Sequence, residues 1–131
     1  MSSAVAILAG HGDFAAGMLS AVRQIIGHDD AFIPMTNTGL SAADMERELA
    51  AILDRSGVRL ILTDLPAGSA TMAAHRLLRS RPELHVMTGV SLPVLLHIAT
   101  HTDDDPTATA EPAIDRGRQA LRHSAGLARG H

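Results

Sequence analysis

Short apolar runs alternate along this chain with longer segments whose apolar residues recur at helical spacing. Each of the four runs, residues 4–9, 31–35, 58–63 and 84–88, is followed by such a segment. A fifth helical segment, residues 111–124, comes last. Because strand–helix alternation places helices on both faces of a parallel sheet, the pattern predicts an open, mainly parallel, four-stranded α/β sheet.

Residues that end or begin strands and helices refine this prediction. Pro34 lies in the second run and cannot donate to a strand ladder, so we expect that strand at an edge of the sheet. The first and third strands can then be neighbours, in the strand order 2-1-3-4. Ser41 with Asp44 three residues later is typical of a helix capping box. A length of 131 residues suits one domain, and we expect residues 1–125 to form it, with a flexible tail over 126–131.

Composition excludes several classes of protein. Aromatic residues make up only 2% of the chain, which argues against a base-stacking RNA platform. The 11 basic residues are outnumbered by 14 acidic ones, which argues against the basic surface that nucleic-acid-binding proteins usually have. Cysteine is absent, which excludes a disulfide frame, a thiolate metal site and a cysteine nucleophile. No apolar stretch approaches the ~20 residues of a membrane span, and the start lacks signal-peptide features, so we expect a cytoplasmic protein.

Two residues at predicted strand ends stand out as candidates for chemistry. His11 lies between two glycines directly after the first strand, where the amides of a helix start favour an anion. Asp64 directly follows the third strand, and a carboxylate beside an imidazole fixes its tautomer and leaves the other ring nitrogen free. The alternatives are structural: His11 is merely exposed on a glycine turn, and Asp64 caps its own loop.

Other constellations are weaker. The chain has no G-x-S-x-G nucleophile elbow and no Walker A loop, and its glycine spacing after the first strand fits a dinucleotide site poorly. His97 and His101 share a helix face near the acidic run 103–105, which would suit a metal. A solvent-exposed loop after the helix explains the acidic run more simply. We therefore expect no metal and no cofactor.

Three segments, in order along the chain, resemble the IIA domain (EIIA) of mannose-family sugar phosphotransferase systems. The first is Ala9-Gly10-His11-Gly12, followed by Phe14-Ala15 and Gly17-Met18. The second is Leu62-Thr63-Asp64-Leu65 with Gly68-Ser69, and the third is the segment 87–96, which includes Gly89-Val90-Ser91-Leu92-Pro93. The chain departs from the family pattern at Pro66-Ala67, at Ala70 where proline is usual, and at the acidic Asp13.

The resemblance implies a phosphocarrier. His11 would accept a phosphoryl group from phospho-HPr on Nε2 and pass it to an EIIB component for sugar uptake, while Asp64 holds Nδ1–H. The phosphate-binding residues would be Gly12, Asp13, Gly68 and Ser69. Contact with the membrane would be indirect, through the EIIC/EIID permease. The resemblance also implies that this chain forms a homodimer, and because some family dimers exchange an edge strand, an added antiparallel edge strand is left open.

Three other functions fit the same residues. The chain could be a regulatory phosphoprotein of an incomplete phosphotransferase system, or the phosphotransfer subunit of a dihydroxyacetone kinase. In a different class, it could be a small-ligand binding module in which His11 only lines a pocket. Phosphoryl transfer and its onward passage to a partner protein separate these possibilities.

Overall fold

A computed structural model describes residues 4–102 and 105–127. In that part of the chain, strands and helices alternate until two helices follow one another at the end. The elements are β1 Ala6–Gly10, α1 Phe14–Ile26, β2 Phe32–Thr36, α2 Ala42–Ser56, β3 Leu60–Thr63, α3 Ser69–Leu77, β4 His85–Met87, α4 Leu92–Ala99 and α5 Pro106–Ala120.

The four strands form one parallel sheet in the order β2-β1-β3-β4. The predicted fold class and strand order are confirmed, and Pro34 lies on an edge strand as expected. Gly10 pairs with Thr36 on β2, and Ala9 pairs with Thr63 on β3, so the carboxyl ends of these three strands are level. Within the described ranges the sheet contains no antiparallel edge strand.

Two apolar layers cover the sheet because successive side chains of a strand point to opposite faces. Ala6 and Leu8 pack with α1, α4 and α5, whereas Ile7 and Ala9 pack with α2 and α3. All five residues of β1 are buried, as expected for a central parallel strand with helices on both sides. This burial holds the end of β1 rigidly at the edge where His11 follows.

Most helix ends follow the sequence signals. The predicted capping box is present: Asp44 N–H donates to Ser41 Oγ at 3.1 Å, and Ser41 N–H donates to Asp44 Oδ2 at 3.2 Å. Ser91 lies at the N-cap position of α4, but its side chain makes no capping hydrogen bond.

The last helix differs from its prediction. It spans Pro106–Ala120 instead of residues 111–124. Its start follows from Asp105, whose carboxylate accepts the amides of Thr107 and Ala108, and from Pro106 at the first helical position. Gly117 faces α4: a Cβ there would lie 2.6 Å from Val94 Cγ2, so glycine permits the close packing of the two helices.

The predicted tail begins in a segment that has no regular structure. Residues 121–127 form neither helix nor strand. Residues 128–131 of the predicted tail lie outside the described residues, as do Asp103 and Asp104 of the acidic run. No helix of the described chain is long and apolar enough to cross a membrane.

Candidate functional site

Residues that follow three neighbouring strands meet at one edge of the sheet. His11 directly follows β1, Asn37 directly follows β2, and Asp64 directly follows β3. Because parallel strands in register end together, these positions converge although they are far apart in sequence. This is the edge where open α/β sheets bind their ligands.

His11 and Asp64 form two hydrogen bonds. The ring Nδ1–H of His11 donates to Asp64 Oδ2 at 2.8 Å, and the backbone N–H of His11 donates to the same oxygen at 2.9 Å. The side chain of His11 is 49% exposed, whereas that of Asp64 is 11% exposed. The carboxylate therefore sets the tautomer and orientation of a ring whose other nitrogen, Nε2, is not engaged by it.

Two glycines make this arrangement possible. A Cβ on Gly10 would lie 2.9 Å from both Cγ and Oδ2 of Asp64 and 2.8 Å from a ring carbon of Phe14, so any side chain there would displace the carboxylate. Gly68 has φ +105°, and a Cβ there would lie 3.1 Å from Cε1 and 3.5 Å from Nε2 of His11. Gly68 thus borders the free edge of the ring without covering it.

The pKa of Asp64 reflects two opposing effects. Burial raises the pKa of this carboxyl group, but the hydrogen bonds from the backbone and ring of His11, together with the charge of a protonated His11, outweigh burial. The net result is a pKa below the usual value of 3.8. Asp64 is therefore ionised at neutral pH and acts only as a hydrogen-bond acceptor.

A buried hydroxyl pair anchors the loop that carries Asp64. Thr63 Oγ1 and Thr71 Oγ1 lie 2.7 Å apart, and Thr71 Oγ1 donates to the carbonyl of Leu65 at 2.6 Å. Both threonine side chains are almost completely buried. The contact joins the end of β3, the loop and the first turn of α3, which restricts the movement of Asp64 and Gly68 relative to each other.

Ser69 begins α3 directly after Gly68, and its Oγ accepts a hydrogen bond from Asn37 Nδ2 at 3.1 Å. Asn37 is a site residue that sequence reasoning did not select. The sequence did carry one signal for it, because Asn37 lies two residues after the predicted second strand, where loops of open α/β sheets bind ligands. Its contact with Ser69, 32 residues further along the chain, could not be read from local spacing.

Gly12 and Asp13 complete the turn between β1 and α1. Gly12 has φ +50°, and its carbonyl accepts Thr36 Oγ1–H at 2.9 Å. Asp13 is exposed at the N-cap position of α1, but its side chain makes no capping hydrogen bond. In the described chain the amides of Gly12 and Asp13 have no hydrogen-bond partner. Their role as phosphate-binding residues remains a prediction.

The histidine pair at the end of α4 is arranged differently from a metal site, and the predicted shared helix face is wrong because His101 lies beyond Ala99, the last residue of α4. The rings of His97 and His101 stack with centroids 4.0 Å apart, and His101 Nδ1–H donates to the carbonyl of His97 at 2.7 Å. Asp105 caps α5 instead of facing a shared ion. Among the described residues, no group of three or more potential ligands could hold a metal ion.

Chemically, the edge offers one nucleophile. With the proton of the neutral ring fixed on Nδ1, the lone pair on Nε2 is available for attack, and the adjacent carboxylate stabilises the positive charge that substitution at Nε2 creates. Gly68 borders this nitrogen at the amino end of α3, where the amides of a helix start favour a negative charge, and Ser69 is the next residue.

The chain is similar to known proteins in sequence and in fold. A family model described as "EIIA-man: PTS system fructose IIA component" matches residues 5–113. The sorbose-specific EIIA component of Klebsiella pneumoniae is 33% identical over 110 residues, which cover 81% of this chain and 78% of that protein. The mannose-specific EIIAB component of Escherichia coli K12 is 28% identical over 126 residues, which cover 90% of this chain but 39% of that longer protein.

Solved structures show the same fold. A mannose/sorbose-specific IIA subunit from Enterococcus faecalis superimposes with a TM-score of 0.82 at 26% identity, covering 95% of this chain and 97% of that one. An EIIA component from Streptococcus agalactiae gives a TM-score of 0.81 at 20% identity, covering 90% and 95%. The family model spans most of the chain, and the sorbose-specific relative exceeds 30% identity over most of its length. The chain therefore belongs to the mannose-type EIIA family of sugar phosphotransferase systems.

Proposed function

We propose that this protein is a phosphocarrier that takes a phosphoryl group from phospho-HPr on His11 Nε2 and passes it to an EIIB component for sugar uptake. The observation that carries the proposal is the 2.8 Å hydrogen bond from His11 Nδ1–H to Asp64, on a ring whose side chain is half exposed. This bond leaves Nε2 as the nucleophile. Membership of the EIIA family supports the direction of transfer.

The transfer balances without net proton movement. The Nε2 lone pair of neutral His11 attacks the phosphorus of the donor's phosphohistidine, and the donor P–N bond breaks as the donor imidazole recovers its electron pair. His11 retains its Nδ1 proton, so its ring becomes positively charged as the Nε2–P bond forms. Asp64, already ionised, stabilises that charge, and the reverse sequence delivers the group to the next carrier.

The phosphoryl oxygens require hydrogen-bond donors. Ser69 supplies a hydroxyl, and the amino end of α3 supplies backbone amides beside Gly68. Gly12 and Asp13 directly follow His11 in the sequence, and their backbone amides offer two further donors. Phosphoryl transfer needs positioning and charge stabilisation more than additional acids or bases, which suits a site with so few side chains.

The exposure of His11 favours a protein as the reaction partner. A donor or acceptor that carries its own phosphohistidine must bring it into contact with Nε2, which demands an open surface rather than a closed pocket. A groove of about 650 Å³ lies elsewhere, between β4 and α5, and His11 does not line it. This arrangement gives no support to a small-ligand binding module.

Labelling experiments test the proposal. Incubation with enzyme I, HPr and ³²P-phosphoenolpyruvate should place an acid-labile label on the wild-type protein and none on His11→Gln. Subsequent addition of an EIIB component should remove the label. A label that stays would indicate a regulatory phosphoprotein, and a wild-type protein that takes no label would refute the phosphocarrier function.

A further inference from the structure

We propose that Asn37 is a positioning residue for phosphoryl transfer, which acts through Ser69. Its side-chain N–H donates a hydrogen bond to the oxygen of the Ser69 hydroxyl. The hydroxyl proton is then directed toward the phosphoryl group on His11. This inference rests on the proposed phosphocarrier function. It adds a residue that neither the sequence motifs nor the resemblance to the family includes.

The position of Asn37 is well defined. Its backbone N–H donates to the carbonyl of Gly10 at 3.0 Å, and its own carbonyl accepts the amide of Leu40 at 3.0 Å. The first bond ties Asn37 to the residue that precedes His11. The side chain, half-buried, then extends to Ser69 Oγ at 3.1 Å on the first turn of α3. Asn37 thus links the strand end that carries His11 with the helix that borders its free nitrogen.

Donor and acceptor chemistry determines where the serine proton can go. The amide nitrogen of asparagine donates and cannot accept, so Ser69 Oγ must be the acceptor in this bond. A hydroxyl has a single proton, and that of Ser69 is therefore available for another partner. Among residues 4–102 and 105–127, the Ser69 hydroxyl donates no hydrogen bond. A phosphoryl oxygen at Nε2 would provide that acceptor.

Pre-orientation of this hydroxyl would contribute to the rate. Electrostatic stabilisation is most effective when the donor already points to the place where charge resides, because no reorganisation is then needed. Without Asn37, the hydroxyl rotates among its staggered positions and loses that alignment. With aspartate at position 37, a carboxylate of the same shape would accept the Ser69 proton and repel the phosphoryl group.

A double-mutant cycle tests the inference. The rate of phosphoryl transfer from phospho-HPr would be measured by rapid quench for the wild type, Asn37→Ala, Ser69→Ala and the double variant. Because a hydrogen bond to a charged group is involved, Ser69→Ala should slow transfer about tenfold. Asn37→Ala alone should slow transfer severalfold, and the double variant should be no slower than Ser69→Ala. Independent, multiplying effects would refute a role through Ser69.

Asn37→Asp separates positioning from packing. Charge repulsion alone would slow Asn37→Asp equally in the presence and absence of the Ser69 hydroxyl, so an equal slowing in a Ser69→Ala background would overturn the inference. If Asn37 directs the Ser69 proton, Asn37→Asp should be slower than Asn37→Ala at neutral pH, although its circular dichroism spectrum and melting midpoint stay close to the wild type. Failure of the wild type to accept label would refute the phosphocarrier function and the inference together. If the wild type accepts label but the rate effects of Asn37→Ala and Ser69→Ala multiply in the double variant, only the inference is refuted.

Discussion

Replacement of Asp64 by asparagine removes a charge while it preserves shape. The amide oxygen can occupy the position of Oδ2 and still accept the backbone and ring N–H groups of His11, which now lie 2.9 and 2.8 Å from that oxygen. Hydrogen bonds to charged acceptors are worth about 1.5–3 kcal/mol, against about 0.5–1.5 for neutral ones, so each bond weakens by about 1 kcal/mol.

The two bonds affect different quantities. The backbone bond is the same before and after phosphorylation, so its weakening lowers the free energy of unfolding by about 1 kcal/mol. The ring bond strengthens as positive charge develops on His11, so weakening it by about 1 kcal/mol slows phosphoryl transfer by about fivefold, since 1.4 kcal/mol corresponds to a factor of ten. Rapid-quench transfer rates and urea titrations measure these two effects separately.

A matched control is available in Asp54. This carboxylate is paired with Arg81 at 2.9 Å but is 69% exposed, so Asp54→Asn should leave the transfer rate unchanged. An Asp64→Asn protein that transfers phosphoryl groups within twofold of the wild type would exclude Asp64 from the mechanism.

Three further outcomes follow from the site. Gly68→Ala should lower stability by about 1–3 kcal/mol, because φ +105° with ψ 172° suits only glycine, and should also slow transfer by crowding Nε2 of His11. Gly57→Ala, with φ +75° and nothing within 4 Å of its Cβ, should lose stability alone when both variants are compared by urea titration and transfer rate. Thr71→Val should destabilise the fold by about 1–3 kcal/mol, seen as a lower urea midpoint, because it removes the buried hydrogen bond with the Thr63 hydroxyl and the bond to the carbonyl of Leu65. The folded-state pKa of Asp64 lies below 3.8, so the ionised carboxylate contributes its full stabilisation above that pH and loses it as the pH falls further. The free energies of unfolding of the wild type and Asp64→Asn should therefore converge in titrations below pH 3.8.

Much of the fold was predictable because local and global signals agree. The buried apolar runs, the capping box at Ser41 and the proline in the second run predicted the strand–helix alternation and the edge position of β2. The proximity of His11 and Asp64 followed from strand adjacency, since neighbouring parallel strands end at the same edge. Their chemical role remains a prediction for the experiments above.

The remaining features depend on contacts between distant segments. The hydrogen bond between Asn37 and Ser69 joins two loops that only the folded sheet brings together. The sequence predicts the start of the last helix at residue 111, later than the observed start at Pro106, because a polar run is typical of a loop; Asp105 in that run is itself the cap. Local composition cannot distinguish a loop residue from one that begins a helix when both are polar.

The bare Cα of Gly10 links the identity of two positions that are 54 residues apart. An alanine at position 10 would require a shorter side chain at position 64 and a displaced or smaller side chain at position 14, because its Cβ would lie 2.9 Å from the carboxylate carbon of Asp64 and 2.8 Å from a ring carbon of Phe14. In a library randomised at positions 10, 14 and 64, selection for folding alone should admit alanine at 10 together with glycine or alanine at 64, whereas selection for transfer should return glycine at 10 with aspartate at 64. An alanine at position 10 would then indicate, in any chain of this shape, that the acid partner of the imidazole has been lost.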